Sequence, residues 1–435
     1  MSTSFRLLGP FDRPGAGFRR HSPKETPTLR NKVAIVVYLP TLLLAFGQGM
    51  LVTTIPLFAA DFGVTSTLIA LAVSAAALGT LFMDIPAGAF LQRIGLRRAM
   101  LVGSGTVAIS TCLIAFPFVN YEMTTALRVV AGIGTALWGI SRHAYIAESI
   151  PVRERGKALS TFGGLQRLGT LGGPAVGGIL IEVLGARTSF LASGLMAAIA
   201  FGVAVALIPE TASLRTLSTR HRWLTVRRTV VDNRRDLAAA AAAQTFAMMI
   251  RAGRMLLVPL YGYTYLGLSG GQVGAILTVA SIFDVAMSIP AGLTMDRLGR
   301  KASMVPSFAI MGVGVALIPL AHSFWTLMAA SALVGFGNGF GAGSMMTLGA
   351  DLAPRGATGE FLGLWRVIGD IGQVAGPLVV GVLADTLDIT GSAYALSAIG
   401  FSAALIIVFL VRETRLRPEE PVGEPVAESV GRAPG

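Results

Sequence analysis

Apolar positions come in twelve runs of about 20 or more residues, each long enough to cross a ~30 Å hydrocarbon core as a helix. They lie near 33–56, 67–91, 98–117, 123–148, 158–181, 189–209, 238–261, 271–294, 302–321, 325–350, 361–384 and 392–411. Short polar turns such as Val119-Asn120-Tyr121-Glu122 part several of them. The pattern predicts helices rather than strands: lipid offers no partner to a free backbone amide, and each run is too long for a barrel strand. An all-α membrane protein follows, with twelve transmembrane helices and one long polar connection in the middle.

The polar positions orient the bundle. Lys and Arg crowd residues 1–32, the loops with Arg93, Arg97 and Arg98 and with Arg153, Arg155 and Lys157, the central connection, Arg297, Arg300 and Lys301, Arg355, and the C-terminal tail. The loops of the opposite side carry only Arg187 among basic residues. Basic loops stay inside, so both termini are expected in the cytoplasm of a multi-pass inner (plasma) membrane protein. Residues 1–32 read as a cytoplasmic tail, not a leader peptide. Residues 33–210 and 238–414 form two six-helix bundles, joined by the basic linker 211–237. Trp223, Leu224 and Val226 allow part of that linker to lie as an amphipathic helix on anionic lipid; a plain topogenic connection is the other reading. Residues 415–435, rich in proline and glutamate, are expected to be disordered.

Composition agrees: 53% of the 435 residues are hydrophobic, 13% are charged, and the mean hydropathy is +0.68. The net charge of +12 would point to nucleic acid in a soluble chain, but here it reports topology. Cys112 is the single cysteine, and the four histidines lack metal-ligand spacing, so no disulfide framework, metal site or cofactor is expected. Gly335-x-Gly337-x-Gly339 lies inside a helix with no strand before it, which argues against nucleotide binding and for small-residue packing. With no nucleotide site and no catalytic dyad, the chain reads as neither an enzyme nor an ATP-driven pump.

An internal repeat ties the halves together. Ile85-Pro86-Ala87-Gly88, then Arg93 and Gly95, recurs as Ile289-Pro290-Ala291-Gly292, then Arg297 and Gly299. At nearly the same displacement Pro56 matches Pro259, Gly132-Ile133-Gly134 matches Gly335-Phe336-Gly337, Gly173-Pro174 matches Gly376-Pro377, and Glu210-Thr211 matches Glu413-Thr414. Six crossings return the chain to its starting side, so the halves are parallel repeats about an axis along the membrane normal.

With these residues in hand, the chain resembles the major facilitator superfamily over nearly all of 33–414. The family's loop signature is matched by Gly292, Asp296, Arg297, Gly299, Arg300 and Lys301 in the second half. In the first half it is matched by Gly88, Gln92, Arg93, Gly95, Arg97 and Arg98, with Gln92 where the family has aspartate. Arg128-x-x-Ala131-Gly132-x-Gly134 is similar to the family's fourth-helix signature. Gly169-x-x-x-Gly173-Pro174-x-x-Gly177-Gly178 is similar to the helix-bend signature of antiporters, and Gly49-Met50-Leu51 with Ile55-Pro56 resembles the first helix of twelve-helix drug:proton antiporters. The resemblance implies that the first, fourth, seventh and tenth helices line a cavity, that the second packs on the eleventh and the fifth on the eighth, and that Asp296 faces the start of the fifth helix.

Charges within the spans carry the most weight, since each is costly in lipid unless paired or hydrated. Arg251 and Arg254 share one face of the seventh helix; with Gln48 and Arg128 they are the candidate cavity residues. Asp84 lies about 12 Å along its helix from Gln92, and Arg366 about 9 Å from Glu360. Asp84–Arg366 and Arg167–Asp284 are therefore candidate interdomain ion pairs closing the cytoplasmic side, with Arg366–Asp370 as a competing local pair. Asp84 and Asp284 are the candidate proton carriers. The expected activity is alternating-access secondary transport by a monomer, foremost proton-coupled efflux of small hydrophobic compounds. The excess of arginine keeps an organic anion or polar metabolite open, and a lipid-handling protein or membrane enzyme comes last.

Overall fold

The computed structural model describes residues 37–149, 152–208, 219–354 and 356–414; for residues 85, 89, 147–149, 152–160 and 219–223 it describes the backbone alone. Both expected tails, the first part of the linker, Glu210-Thr211 and Arg355 lie outside the described residues.

Within the described residues, each of the twelve apolar runs is helical over most of its length. The first bundle comprises α1 (Leu39–Ala60), α2 (Ser66–Ile94), α3 (Leu96–Ile114), α4 (Tyr121–Ser149), α5 (Val152–Leu184) and α6 (Ala186–Leu207). The linker contributes the basic helix α7 (Thr219–Asp232). The second bundle comprises α8 (Arg234–Leu260), α9 (Gly270–Leu298), α10 (Arg300–Leu317), α11 (Phe324–Phe340), α12 (Ser344–Leu352), α13 (Thr358–Thr386) and α14 (Ile389–Phe409). Among the described residues, nine helices are by themselves long and apolar enough to cross a membrane. The tenth run, expected as one helix over 325–350, is instead broken into α11 and α12 at Gly341–Gly343, where Gly343 takes φ 75°. Large apolar side chains such as Ile109, Ile199 and Leu405 are exposed on the outer faces, as a lipid solvent requires.

Local chemistry sets the ends. Thr65 and Ser269 cap α2 and α9 through their hydroxyls, the latter in a capping box with Gln272. The tight turns α2–α3 and α9–α10 need Gly95 (φ 80°) and Gly299 (φ 108°), a conformation open to glycine. At the α13–α14 turn Asp388 takes φ 95° where the first half has Gly185, and its carboxylate accepts from Gly391 N (2.7 Å), which offsets the strain. Arg187, the lone basic residue of the far loops, donates to carbonyls at the end of α3, including Phe116 O and Val119 O.

The packing repeats with the sequence. α1 packs on α5 and α6, α2 on α4, and α3 on α4 and α6; in the second bundle α8 packs on α13 and α14, α9 on α11, and α10 on α11 and α14. Glycines let these backbones meet: a Cβ on Gly173 would lie 2.5 Å from Gly49 Cα, and one on Gly376 2.3 Å from Met249 O. Gly169 and Gly177 abut Ala45 and Met50 of α1 in the same seam. Gly178 instead faces α9 of the other half. The two bundles meet along α2–α13 and α5–α9.

The two ends of that interface differ. On the far side, away from the chain ends, backbones touch: a Cβ on Gly178 would lie 2.3 Å from Gly270 O, and one on Gly381 2.5 Å from Ser66 O. On the near side, Gly88, Gly163, Gly164, Gly292, Gly359 and Gly363 face open space. Gly88 lies one turn from Asp84, Gly163 from Arg167, and Gly363 from Arg366, so these glycines share faces with residues that reach the opposite half. Among the described residues, the halves touch backbone to backbone on the far side, and the near-side glycines of the interface helices meet nothing.

Candidate functional site

Between the halves, walled mainly by α1, α2, α4, α8 and α13, lie three adjoining lobes of about 320, 250 and 470 Å³. Gln48, Thr135 and Leu44 belong to both the first and the second lobe, and Gln373, Met255 and Val52 to both the first and the third. The walls are mostly aliphatic, with a few convergent polar groups, the composition of a small-molecule site.

All four expected cavity residues line it: Gln48 and Arg128 the first lobe, Arg251 and Arg254 the third. Among the described residues, no carboxylate lies within ion-pair distance of Arg128, Arg251 or Arg254. The Nε of each is buried without a hydrogen-bond partner. Arg251 sits over the Phe308 ring and donates to Gly341 O (3.0 Å). That carbonyl belongs to the break between α11 and α12, which also accepts from Ser344 Oγ (2.7 Å). Irregular backbone inside a bilayer is tolerable where it lines a cavity, and Ala342 and Gly343 do line the third lobe. The second lobe holds Arg142, stacked on Phe162 at 3.9 Å, with His143, Gln166 and Arg366.

Both interdomain pairs drawn from the sequence are present. Arg167 lies 3.6 Å from Asp284, which also accepts from Asn338 Nδ2 (2.8 Å). Arg366 lies 3.2 Å from Asp84 and 3.6 Å from Asp370, so the local pair forms as well. Arg167 and Asp284 sit near the middle of their helices, and Asp84 and Arg366 nearer the ends of theirs that carry the near-side turns. Gln92, Arg93, Asp296 and Arg297 are exposed on that side. The first nine residues of α5, toward which Asp296 was expected to point, have side chains outside the described set.

Sequence reading missed the residues that close the far side. Asp385, at the end of α13, accepts from the backbone of Ser66 and Thr67 (both 2.8 Å) and from Thr67 Oγ1 (2.6 Å), the first turn of α2. Glu182, at the end of α5, accepts from Gly271 N and Ser269 Oγ (both 2.9 Å), the first turn of α9. Glu182 and Asp385 occupy equivalent places in the two halves, as do Ser66 and Ser269. Each clasp sets a carboxylate of one half on the positive end of a helix of the other. Their shared displacement in the repeat was the available signal. Tyr263 Oη donates to Asp61 (2.9 Å) on the same side.

The family model described as Major Facilitator Superfamily matches residues 37–250 and again 240–433. An MFS-type transporter of Methanocaldococcus jannaschii is 24% identical over 393 residues, covering 88% of this chain and 99% of the relative. The quinolone resistance protein NorA of Staphylococcus aureus is 22% identical over 392 residues, covering 88% and 97%. Among solved structures, a D-xylose–proton symporter superposes with a TM-score of 0.71 at 18% identity, covering 89% of this chain and 99% of that one. A POT family transporter in complex with a thioalcohol-conjugated peptide gives 0.70 at 13%, covering 86% and 94%.

Proposed function

The chain belongs to the major facilitator superfamily, and on that footing we propose that it is a proton-coupled exporter of small hydrophobic compounds working by alternating access. Basic residues crowd the near side, which makes that side cytoplasmic and the conformation inward-open. The observation that carries the reading is the cavity: aliphatic walls admit an apolar body, and buried guanidinium groups, each with an Nε that lacks a hydrogen-bond partner, meet an acceptor or acidic group on it. Similarity along most of the chain to a quinolone resistance protein supports efflux of amphipathic compounds.

The cycle follows from the two unlike ends of the interface. Rocking the halves parts the Glu182 and Asp385 clasps and brings the glycine faces of α2, α5, α9 and α13 together. The pairs Asp84–Arg366 and Arg167–Asp284 lie near the fulcrum, joining the halves as they rock rather than sealing the near side. Gln92, Arg93, Asp296 and Arg297 stand where the near side closes outward-open.

A second reading, transport of an organic anion or polar metabolite, is favoured by the same Arg128, Arg251 and Arg254, each with an Nε that lacks a hydrogen-bond partner. Inverted membrane vesicles with and without an imposed pH gradient separate the two, using ethidium, norfloxacin and a small dicarboxylate as probes. Gradient-dependent accumulation of norfloxacin supports proton-coupled efflux. Dicarboxylate counterflow that ignores pH supports the second reading, and movement of none of the probes removes both.

A further inference from the structure

Two carboxylates from opposite halves converge on one guanidinium. Asp84 of α2 and Asp370 of α13 place their Oδ2 atoms 3.2 and 3.6 Å from the same Nε of Arg366. The acids are enclosed, with 4% and 8% of their side chains exposed, whereas Arg366 is 35% exposed and opens onto the second lobe. Both oxygens of Asp84 and Oδ2 of Asp370 are buried with no hydrogen-bond partner. With both acids ionised, two negative charges share the one guanidinium within ion-pair distance, and these acceptors stay unsatisfied. One proton removes the surplus charge, and the resulting O–H supplies a donor to the second carboxylate.

We propose that Asp84 and Asp370 form one shared proton-binding site bridging the two halves, with Gln373 linking it to the substrate cavity. The use to which the proton is put rests on the transporter reading above; the site itself does not. Gln373 donates to Asp370 Oδ1 (2.9 Å) and lines both larger lobes. A ligand that presses Gln373 onto Asp370 strengthens a donor to the ionised acid and so favours proton release, the sign that exchange requires. Asp284 is the poorer candidate, because a single carboxylate there meets Arg167 and the Asn338 amide and is already balanced.

The charged surroundings favour release as well as uptake. Arg142 and His143 of α4, which packs on α2, share the second lobe with Arg366 and oppose protonation when charged. α8, packed against the other face of α13, brings the neutral Gln244 beside Gly369. In the present conformation the site exchanges protons with the near side through the lobe at Arg366. With the halves rocked over, the remaining route runs past Gln373.

Infrared difference spectroscopy of the full chain across a pH series tests the site without any substrate. The expected result is one protonated-carboxyl band, titrating as a single proton, absent in Asp84→Asn and in Asp370→Asn because one acid then faces one guanidinium. The band persists in Asp284→Asn and reappears displaced in Asp84→Glu, which keeps the test open should an asparagine variant fold poorly. Gln373→Leu moves the midpoint to higher pH, since the ionised acid loses a donor. A band that survives both asparagine variants, one lost only in Asp284→Asn, or none in the unaltered protein overturns the proposal. Should the band behave as expected while no vesicle probe responds to a pH gradient, the proton site stands and the coupling reading falls.

Discussion

A hydrogen in place of a methyl group decides how close the helices come. A Cβ on Gly132 would lie 2.0 Å from Ala76 O, and one on Gly335 would lie 2.0 Å from Ala280 O, where the backbone itself is the obstacle. Gly132→Ala and Gly335→Ala are each expected to destabilise the protein by about 1–3 kcal/mol, as overpacked cores do, read as a lower melting temperature in detergent. The cavity arginines answer a different test. Arg254 is 7% exposed and has no carboxylate in ion-pair distance among the described residues, so removing its charge breaks no ion pair described in the fold. Arg254→Gln is expected to leave the melting temperature near that of the parent. It should weaken transport of an acidic probe by about tenfold, the worth of one charged hydrogen bond, while sparing a cationic one.

Among elements, the helix ends matter more than the helix middles. α2 and α9 begin with a free row of amides on the far side, and each is met by a carboxylate from the opposite half. Such a charge at a helix N-terminus contributes up to about 2 kcal/mol in a partly buried setting. Glu182→Gln and Asp385→Asn should therefore each shift the balance toward the outward-open form by up to about thirtyfold. Spin labels at the start of α2 and the end of α13 would read the change as a longer distance. An unchanged distance distribution in both variants would show that backbone packing alone holds the far side shut. Glu413 plays a comparable part within one half, accepting from Arg300 N and Lys301 N (2.9 and 3.0 Å) at the start of α10.

For the molecule as a whole, function requires that the closed end come apart. A Cβ on Gly381 would lie 2.5 Å from Ala70 Cβ, across the α2–α13 contact. Cysteines at both positions need roughly 1 Å of give, there and at Ser66 O, to reach disulfide spacing. Ala70→Cys with Gly381→Cys, oxidised, is expected to abolish transport of every probe at every pH, and reductant is expected to restore it. Transport that persists through a complete cross-link would refute rigid-body rocking about the Asp84–Arg366 and Arg167–Asp284 pairs.

The sequence by itself determined the helices, their number of runs, the duplication and the arginines of the cavity. Those features follow from rules that act along the chain: lipid cannot satisfy a free amide, and a charge such as Arg251 deep in an apolar run needs a polar interior. The Asp84–Arg366 and Arg167–Asp284 pairs were legible once the family resemblance supplied which helices touch, because opposite charges at matched depth have few other places to go. The break at Gly341–Gly343 was not, since glycine-rich runs such as Gly335-x-Gly337-x-Gly339 serve continuous helix packing just as well. Nor were Gln373 and Asn338, ordinary polar residues whose worth lies in which carboxylate they reach. Only the tertiary structure decided which end of the interface is open, that two acids share one guanidinium, and that Glu182 and Asp385 cap helices of the opposite half. These depend on how two rigid bundles are set against each other, and side-chain chemistry along one chain does not encode that angle position by position.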